Sequence, residues 1–471
     1  MYGKIQSLNR KTKNLSCFCE KDFFLGIKIA RGRKTIRKEF VCKGADGRRK
    51  GFMKKGKKLI CSVAALTFVG GLTGCGSCGK KEDGGTKITI WVSEGDKAFT
   101  NSVINEFKAK YPDKNYRIVV DIQGEKDIAT RILNDVENAA DIFSYSNDQL
   151  SKLINGDALA KIAGERLERV KAANSADSID SATMTVNGTD NVYGMPYTDN
   201  TFFLYYDKSV LSESDVQSID GILAKCSAGK QFAYPIVDGW YTTAFYFGKN
   251  LGYDVTYDKN LAETSISCDF DNETGVAVTQ AMWNLVKDSR FKADANDSKI
   301  TAGFNDGSIV AAVSGIWNKT AIQKALGENF AAAKLPTYTF GAAGASEQVQ
   351  LVSFAGYKLM GVNNYSKHLT DAMDFAEFFT NKENQIKHFE ARGFVPTDEG
   401  ARMDEKVQAD VCAKAITAQL AHSKTQKGVP STLWVPMEGL GTAMITGAQG
   451  GSFDLTAQLK ACVNSIEKVT K

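Results

Sequence analysis

Lys87-Ile-Thr-Ile-Trp-Val92 is a short β-branched run, and behind it Val103, Ile104 and Phe107 recur at three- and four-residue spacing between Phe99 and Lys110. The first pattern predicts a strand and the second an amphipathic helix. Pro112 stops the helix, and Tyr116 to Ile122 reads as a second strand. Strand, helix, strand is a βαβ unit, which implies a parallel sheet with helices packed on its faces.

The same alternation continues outward. Asp127 to Glu137 and Asp148 to Ile154 read as helices around a short strand from Asp141 to Tyr145. Further on come a buried-looking strand from Phe202 to Tyr206, a helix from Thr274 to Lys287 and a strand from Ile309 to Val313. Helices follow from Asp371 to Phe379 and from Glu383 to Phe389. The fold class is α/β, with no solenoid-length repeat.

The chain ahead of Lys87 has a different character. From Met53 a basic head (Lys54, Lys55, Lys57, Lys58) leads into an apolar run from Leu59 to Val69 and a small-residue end, the layout of a secretory signal peptide. That run is about half of the roughly 20 residues a membrane-crossing helix needs, so export is the better reading. The segment ends Leu72-Thr-Gly-Cys75, which resembles the bacterial lipobox, where cleavage precedes a cysteine that carries a diacylglycerol. Residues 53–74 are then the signal, Cys75 the lipid anchor and residues 75–86 a flexible tether. Residues 1–52 are a basic upstream extension, expected to be absent from the mature protein, with Met53 as the start. A nucleic-acid-binding arm is the other reading of such a stretch.

Charge divides the chain at the same place. Residues 1–74 hold 19 Lys and Arg against 4 Asp and Glu, so of the total of 59 basic and 54 acidic residues, 40 and 50 remain from Cys75 onward. The formal balance therefore turns from +5 to −10, and no basic surplus is left to attract nucleic acid. The 397 residues from Cys75 suffice for two or three domains with substantial cores.

Motifs for chemistry are sparse. Cys78, Cys226, Cys268, Cys412 and Cys462 are widely and irregularly spaced, which indicates buried small apolar residues rather than a disulfide framework, although one pair could bridge. Cys75-Gly-Ser-Cys78 has C-x-x-C spacing but sits in the tether. His368, His388 and His422 form no H-E-x-x-H and join no cysteine cluster, and neither G-x-S-x-G nor a Walker A sequence is present. No metal or cofactor is implied. Carboxylates such as Asp96 and Asp148 suit either glycosidase acid and base work or plain hydrogen bonding to hydroxyls.

Several stretches in order carry a family resemblance. Trp91-Val-Ser-Glu-Gly-Asp-Lys97 resembles the opening of the maltodextrin-binding (maltose-binding-protein-like) type of bacterial extracellular solute-binding protein. Asp141-Ile-Phe-Ser-Tyr-Ser-Asn-Asp148, Gly156-Asp-Ala-Leu-Ala-Lys-Ile162 and Tyr193-Gly-Met-Pro196 through Leu204-Tyr-Tyr-Asp-Lys208 are similar to its later stretches. The clearest match is Gly303-Phe-Asn-Asp-Gly307 with Ala312-Val-Ser-Gly-Ile-Trp317, followed by Leu335-Pro-Thr337 and Arg392-Gly-Phe-Val-Pro396.

The resemblance implies a two-lobe periplasmic-binding-protein fold of type II, with a hinge and an interlobe ligand cleft. Lobe 1 would span 87–198 with about 352–397, and lobe 2 would span 202–348 with about 402–471. It implies a monomeric lipoprotein on the extracellular face of the membrane that captures a neutral sugar or oligosaccharide for the permease of an ABC importer, without catalysis. Aromatic rings would stack on the sugar and planar polar groups would bind its hydroxyls. By position, Trp240, Trp317 and Tyr145 match the stacking aromatics, and Glu94, Asp96, Lys97, Asp148 and Asn200 the polar contacts. Asp238 and Trp434 are further ligand candidates, Tyr241 replaces Trp240 if the alignment slips by one, and Trp91 is expected in the core. Asn200 and Gln149 depart from the acidic and basic residues of the maltodextrin branch, which leaves the particular sugar open. The rival readings are a secreted lipoprotein glycosidase and a peptide or amino-acid binding protein, the latter needing fixed charges in place of stacking rings.

Overall fold

A computed structural model describes residues 85–227, 229–341 and 345–469, together with two three-residue strands, Leu15–Cys17 and Leu25–Ile27, that pair antiparallel. The chain divides into two units, Met1–Lys80 and Lys81–Lys471. The signal segment 53–74, Cys75, Cys78 and residues 76–84 of the tether lie outside the described residues.

The βαβ unit forms as its periodicity requires. Strand Lys87–Val92 buries Ile88, Ile90 and Val92 on one face, and helix Lys97–Lys110 covers them with Phe99, Val103, Ile104 and Phe107. The helix gives out at Tyr111, where the following Pro112 disfavours helical backbone. Strand Arg117–Ile122 then returns parallel to Lys87–Val92, with Ile88 beside Ile118 and Val92 beside Ile122.

Both sheets are mixed rather than parallel. The first runs in the order Ser423–Thr425, Ser353–Val362, Ile142–Ser146, Lys87–Val92, Arg117–Ile122, and Met195–Asn200 also pairs with Ser353–Val362. Ser353–Val362 lies antiparallel to Ile142–Ser146 and Met195–Asn200 because the chain enters it from the other lobe. The second sheet runs in the order Phe291–Lys292, Gln231–Ala233, Ile309–Gly315, Phe202–Asp207, Phe330–Ala333. In it Phe202–Asp207, which also enters from the opposite lobe, is antiparallel to both neighbours.

Each sheet has its own core, and the two lobes follow from that. One core collects residues from Ile88 to Tyr197 and from Tyr357 to Phe379. The second sheet is covered on both faces by residues between Phe202 and Phe354 and between Phe389 and Ile466. Each fully buried large apolar side chain contributes about 1.5–3 kcal/mol, so each lobe has its own stabilising set. Helix Lys382–Arg392 bridges the two. Its His388 packs against Phe99 of the first core at 4.6 Å, whereas Phe389 and the following Phe394 belong to the second.

A single residue, Thr201, separates Met195–Asn200 in one sheet from Phe202–Asp207 in the other. It is buried, and its hydroxyl meets Ser353 Oγ at 2.9 Å and donates to the Phe354 carbonyl at 2.7 Å. Two interlobe passages are thereby tied together. Beside them the Asp199 carboxylate accepts from Arg402 at 2.9 Å, and burial, only partly offset by that guanidinium, raises its pKa to about 6. Cys226, Cys268, Cys412 and Cys462 are all free and buried. Among the described residues no helix is long and apolar enough to cross a membrane.

Candidate functional site

Asp238 ends the approach to helix Gly239–Phe247 and caps it, its Oδ1 accepting the Trp240 amide at 3.0 Å. The helix is buried almost all round, so its first turn is held rigidly and the Trp240 ring projects from a fixed base. Trp317 comes from the turn after strand Ile309–Gly315. A Cβ on Gly315 would lie 2.1 Å from the Trp317 ring, so glycine is what lets the indole lie flat against the strand end. Trp434 opens helix Trp434–Ala448, and its ring meets Phe354 edge-on at 5.6 Å.

These three indoles are half-buried and line one cavity of about 490 Å³. Trp240 and Trp317 approach to 5.9 Å between centroids, at 37°. The edges of both are tethered. Trp240 Nε1 donates to Gln426 Oε1 at 3.0 Å, and Trp317 Nε1 donates to Asp297 Oδ1 at 3.0 Å. Asp297 Oδ1 also accepts from Asn318 Nδ2 at 2.7 Å, which fixes its own position. With their polar edges satisfied by protein, the rings present apolar surface to the cavity.

Lobe 1 supplies polar groups to the same cavity. Asp148 sits in the turn before helix Leu150–Asn155 and accepts from Gln149 Nε2 at 2.6 Å. Burial raises its pKa, against hydrogen bonds from Ser146, Gln149 and Gln426 that act the other way. Lys126 reaches across to Asp238 at 3.3 Å, an exposed pair that contributes little. Glu125 is engaged by the buried Lys358 ammonium at 2.9 Å.

Of the ten ligand positions expected from sequence, Asp148, Asn200, Asp238, Trp240, Trp317 and Trp434 line the cavity. Four lie elsewhere. Tyr145 is 2% exposed and packs into the first core beside Phe143. Asp96 is 3% exposed and faces His388 Nε2 and Arg392 Nε, each at 3.2 Å, rather than the cavity. Glu94 and Lys97 flank it on the surface and are exposed. Tyr241, weighed as a substitute, lines the cavity as well as Trp240, and Trp91 is partly buried against the first core.

Sequence reasoning passed over Gln426, Asp297, Ser146 and Glu438, all in the lining. Gln426 meets its indole partner 186 positions away, which no local pattern carries. Asp297 meets Trp317 only 20 positions on, and an acidic residue at a helix start reads as capping rather than as an indole anchor.

Two lobes with separate cores, tied at a hinge and enclosing a cavity walled by aromatic rings and carboxylates, define a ligand-capturing protein of the two-lobe binding type. The chain belongs to the bacterial extracellular solute-binding protein family, whose model matches residues 102–415. It is a binding protein of the kind that serves ABC importers and not an enzyme. It is 25% identical to the maltodextrin-binding protein MdxE of Bacillus subtilis (strain 168), over 88% of this chain and 98% of that one. It is 22% identical to the galactooligosaccharide-binding protein of the same organism, over 84% and 94%. A protein solved with acarbose superposes with a TM-score of 0.72 at 31% identity, covering 82% of this chain and 99% of the other.

Proposed function

We propose that this protein captures a sugar or oligosaccharide between its lobes and delivers it to the membrane permease of an ABC importer. The observation that carries the reading is the Trp240 and Trp317 pair, half-buried side by side in the cavity wall with both N–H edges tied to protein. Pyranose rings present apolar C–H faces to such indoles and a rim of hydroxyls to Asp148, Asn200 and Asp238. The relatives' ligands, maltodextrin and galactooligosaccharide, and the acarbose of the solved protein all belong to that chemical class. Against the expected 352–397 and 402–471, Phe354, Phe389, Phe394 and Val395 pack with the second core, so the first lobe takes residues 87–198 with about 357–379 and the second 202–354 with about 389–471. Closure of one upon the other converts occupancy into a surface that a permease distinguishes.

The test is a thermal-shift screen of the protein against maltooligosaccharides, galactooligosaccharides and short peptides. A ligand that binds only the folded state stabilises by RT ln(1 + [L]/Kd), about 2.7 kcal/mol at a hundred times Kd. Glycans are expected to raise the melting temperature and peptides to leave it unchanged. A rise with peptides alone sinks the sugar reading.

Delivery to a permease favours attachment near it. Cleavage before Cys75 with acylation of its thiol would hold the protein as a monomer on the extracellular face, with the polar tether giving the lobes reach. An intact mass of the cell-derived protein is expected to begin at Cys75 and to carry acyl chains. Peptides from residues 1–52 in that material would refute both the cleavage and the start at Met53.

A further inference from the structure

Gln426 connects the stacking wall, through Trp240, to Ser146 of the opposite lobe. It follows strand Ser423–Thr425, and its amide donates to the Ala355 carbonyl at 3.2 Å, which places it on the strand that passes between the lobes. It is only 4% exposed, yet it lines the cavity. A Cβ on Gly356 would lie 2.4 Å from its Oε1, so the side chain occupies a notch that exists because residue 356 is glycine.

The partners determine which way the amide points. Indole N–H is only a donor, so the group 3.0 Å from Trp240 Nε1 is the amide oxygen. Nε2 therefore turns toward lobe 1, where its contact with Ser146 Oγ is a long 3.4 Å. Asp148, two residues on from Ser146, lines the same cavity. An amide has two N–H donors and two acceptor lone pairs. The Trp240 contact takes one lone pair and Ser146 weakly holds one N–H, which leaves donor and acceptor capacity in a cavity wall.

Resting on the reading of this cavity as a sugar site, we propose that Gln426 is a specificity-determining residue with two linked tasks. Its oxygen sets the plane of the Trp240 ring, and its Nε2–H, paired with the Asp148 carboxylate, reads a vicinal pair of hydroxyls on the sugar stacked there. One hydroxyl oxygen accepts from Nε2, and the neighbouring hydroxyl donates to Asp148. A ligand lacking such a diol leaves both groups desolvated without partners, which is how a hydrogen-bonding site rejects analogues. Glycans with a free vicinal diol at this position are the class selected.

Substitutions separate the two tasks. Gln426→Leu removes acceptor and donor, whereas Gln426→Glu keeps an acceptor for Trp240 and removes the donor to the diol. Maltotriose and a galactotriose are titrated calorimetrically into the wild-type protein and both variants, and the Trp240 indole N–H is followed by NMR, identified by its absence in Trp240→Phe. Gln426→Leu is expected to weaken binding tenfold or more and to move the Trp240 resonance to a position without a hydrogen bond. Gln426→Glu is expected to weaken binding similarly while keeping a hydrogen-bonded indole signal. A glutamine that only supported the fold would not give that split. If Gln426→Leu does not fold, Gln426→Asn, one methylene too short to reach Trp240, takes its place with the same expectation. Wild-type affinity in Gln426→Glu, or an unmoved Trp240 resonance in Gln426→Leu, overturns the proposal. Wild-type protein that binds neither glycan overturns the sugar reading first and this proposal with it.

Discussion

Trp317→Ala is expected to weaken glycan binding by roughly 30-fold or more while the protein still melts cooperatively. Truncating an aromatic anchor at the centre of a ligand site costs about 2 kcal/mol or more, and each 1.4 kcal/mol is tenfold in Kd. The fold tolerates the change for a local reason. The ring is half-buried and follows the last residue of strand Ile309–Gly315 by two positions, so the strand's buried positions keep their packing. The lost N–H leaves Asp297, which is exposed, with Asn318 still donating at 2.7 Å, so its carboxylate keeps both a partner and solvent. Trp283→Ala serves as the contrast, because Trp283 packs on Phe453 at 4.6 Å and does not line the cavity. That variant should lose stability and keep its affinity. Calorimetric titration beside thermal melts reads both quantities, and the opposite pattern would make Trp317 a core residue.

The legible elements were those whose pattern is local. Lys87–Val92 is legible to the residue because its β-branched run is local, and the structure buries Ile88, Ile90 and Val92 between less buried neighbours. Helix Lys97–Lys110 showed its buried face in three- and four-residue steps. Ser353–Val362 escaped, although it joins both lobes. It is buried on both faces and so shows no alternation, and it contains Lys358, whose charge is compensated by Glu125 far away in sequence. The discontinuous lobes came only through the resemblance, because a hinge of one residue, Thr201, has no composition of its own.

The site divides in the same way. Trp240 and Trp317 could be singled out because their residue type limits what they can do. Gln426 could not, since a glutamine becomes informative only when the indole it holds is known. Asp96 shows the reverse case, a residue placed by motif whose partners redefine it.

Asp96 is buried where the motif would have it meet a ligand. Burial by itself raises its pKa, but the hydrogen bond from His388 and the nearby Lys358 and Arg392 charges overcome that and hold the carboxyl well below the ordinary carboxylate range. His388 is itself shifted down by burial, against the Asp96 bond, so it serves as a neutral donor packed between Phe99 and Phe394. Removing Asp96 leaves the buried His388 without its hydrogen-bond partner and Arg392 without its counter-charge, a loss of about 1–3 kcal/mol. Asp96→Ala is therefore expected to be the most destabilising single change at any of the ten positions, with glycan affinity of the folded fraction unchanged. The acid limb of stability supplies an independent reading. A carboxyl with a depressed folded pKa contributes stability that is present above its unfolded value near 3.9 and is lost as pH falls below it. A histidine kept neutral by burial adds a loss of the same sign as pH falls below about 6.5. Denaturant midpoints measured from pH 7 to pH 3 should fall in the wild type, and the portion of that fall below pH 4 should shrink in Asp96→Ala. Normal stability with lost affinity would instead return Asp96 to the ligand, and would mean that the helix carrying His388 and Arg392 yields when the cleft fills.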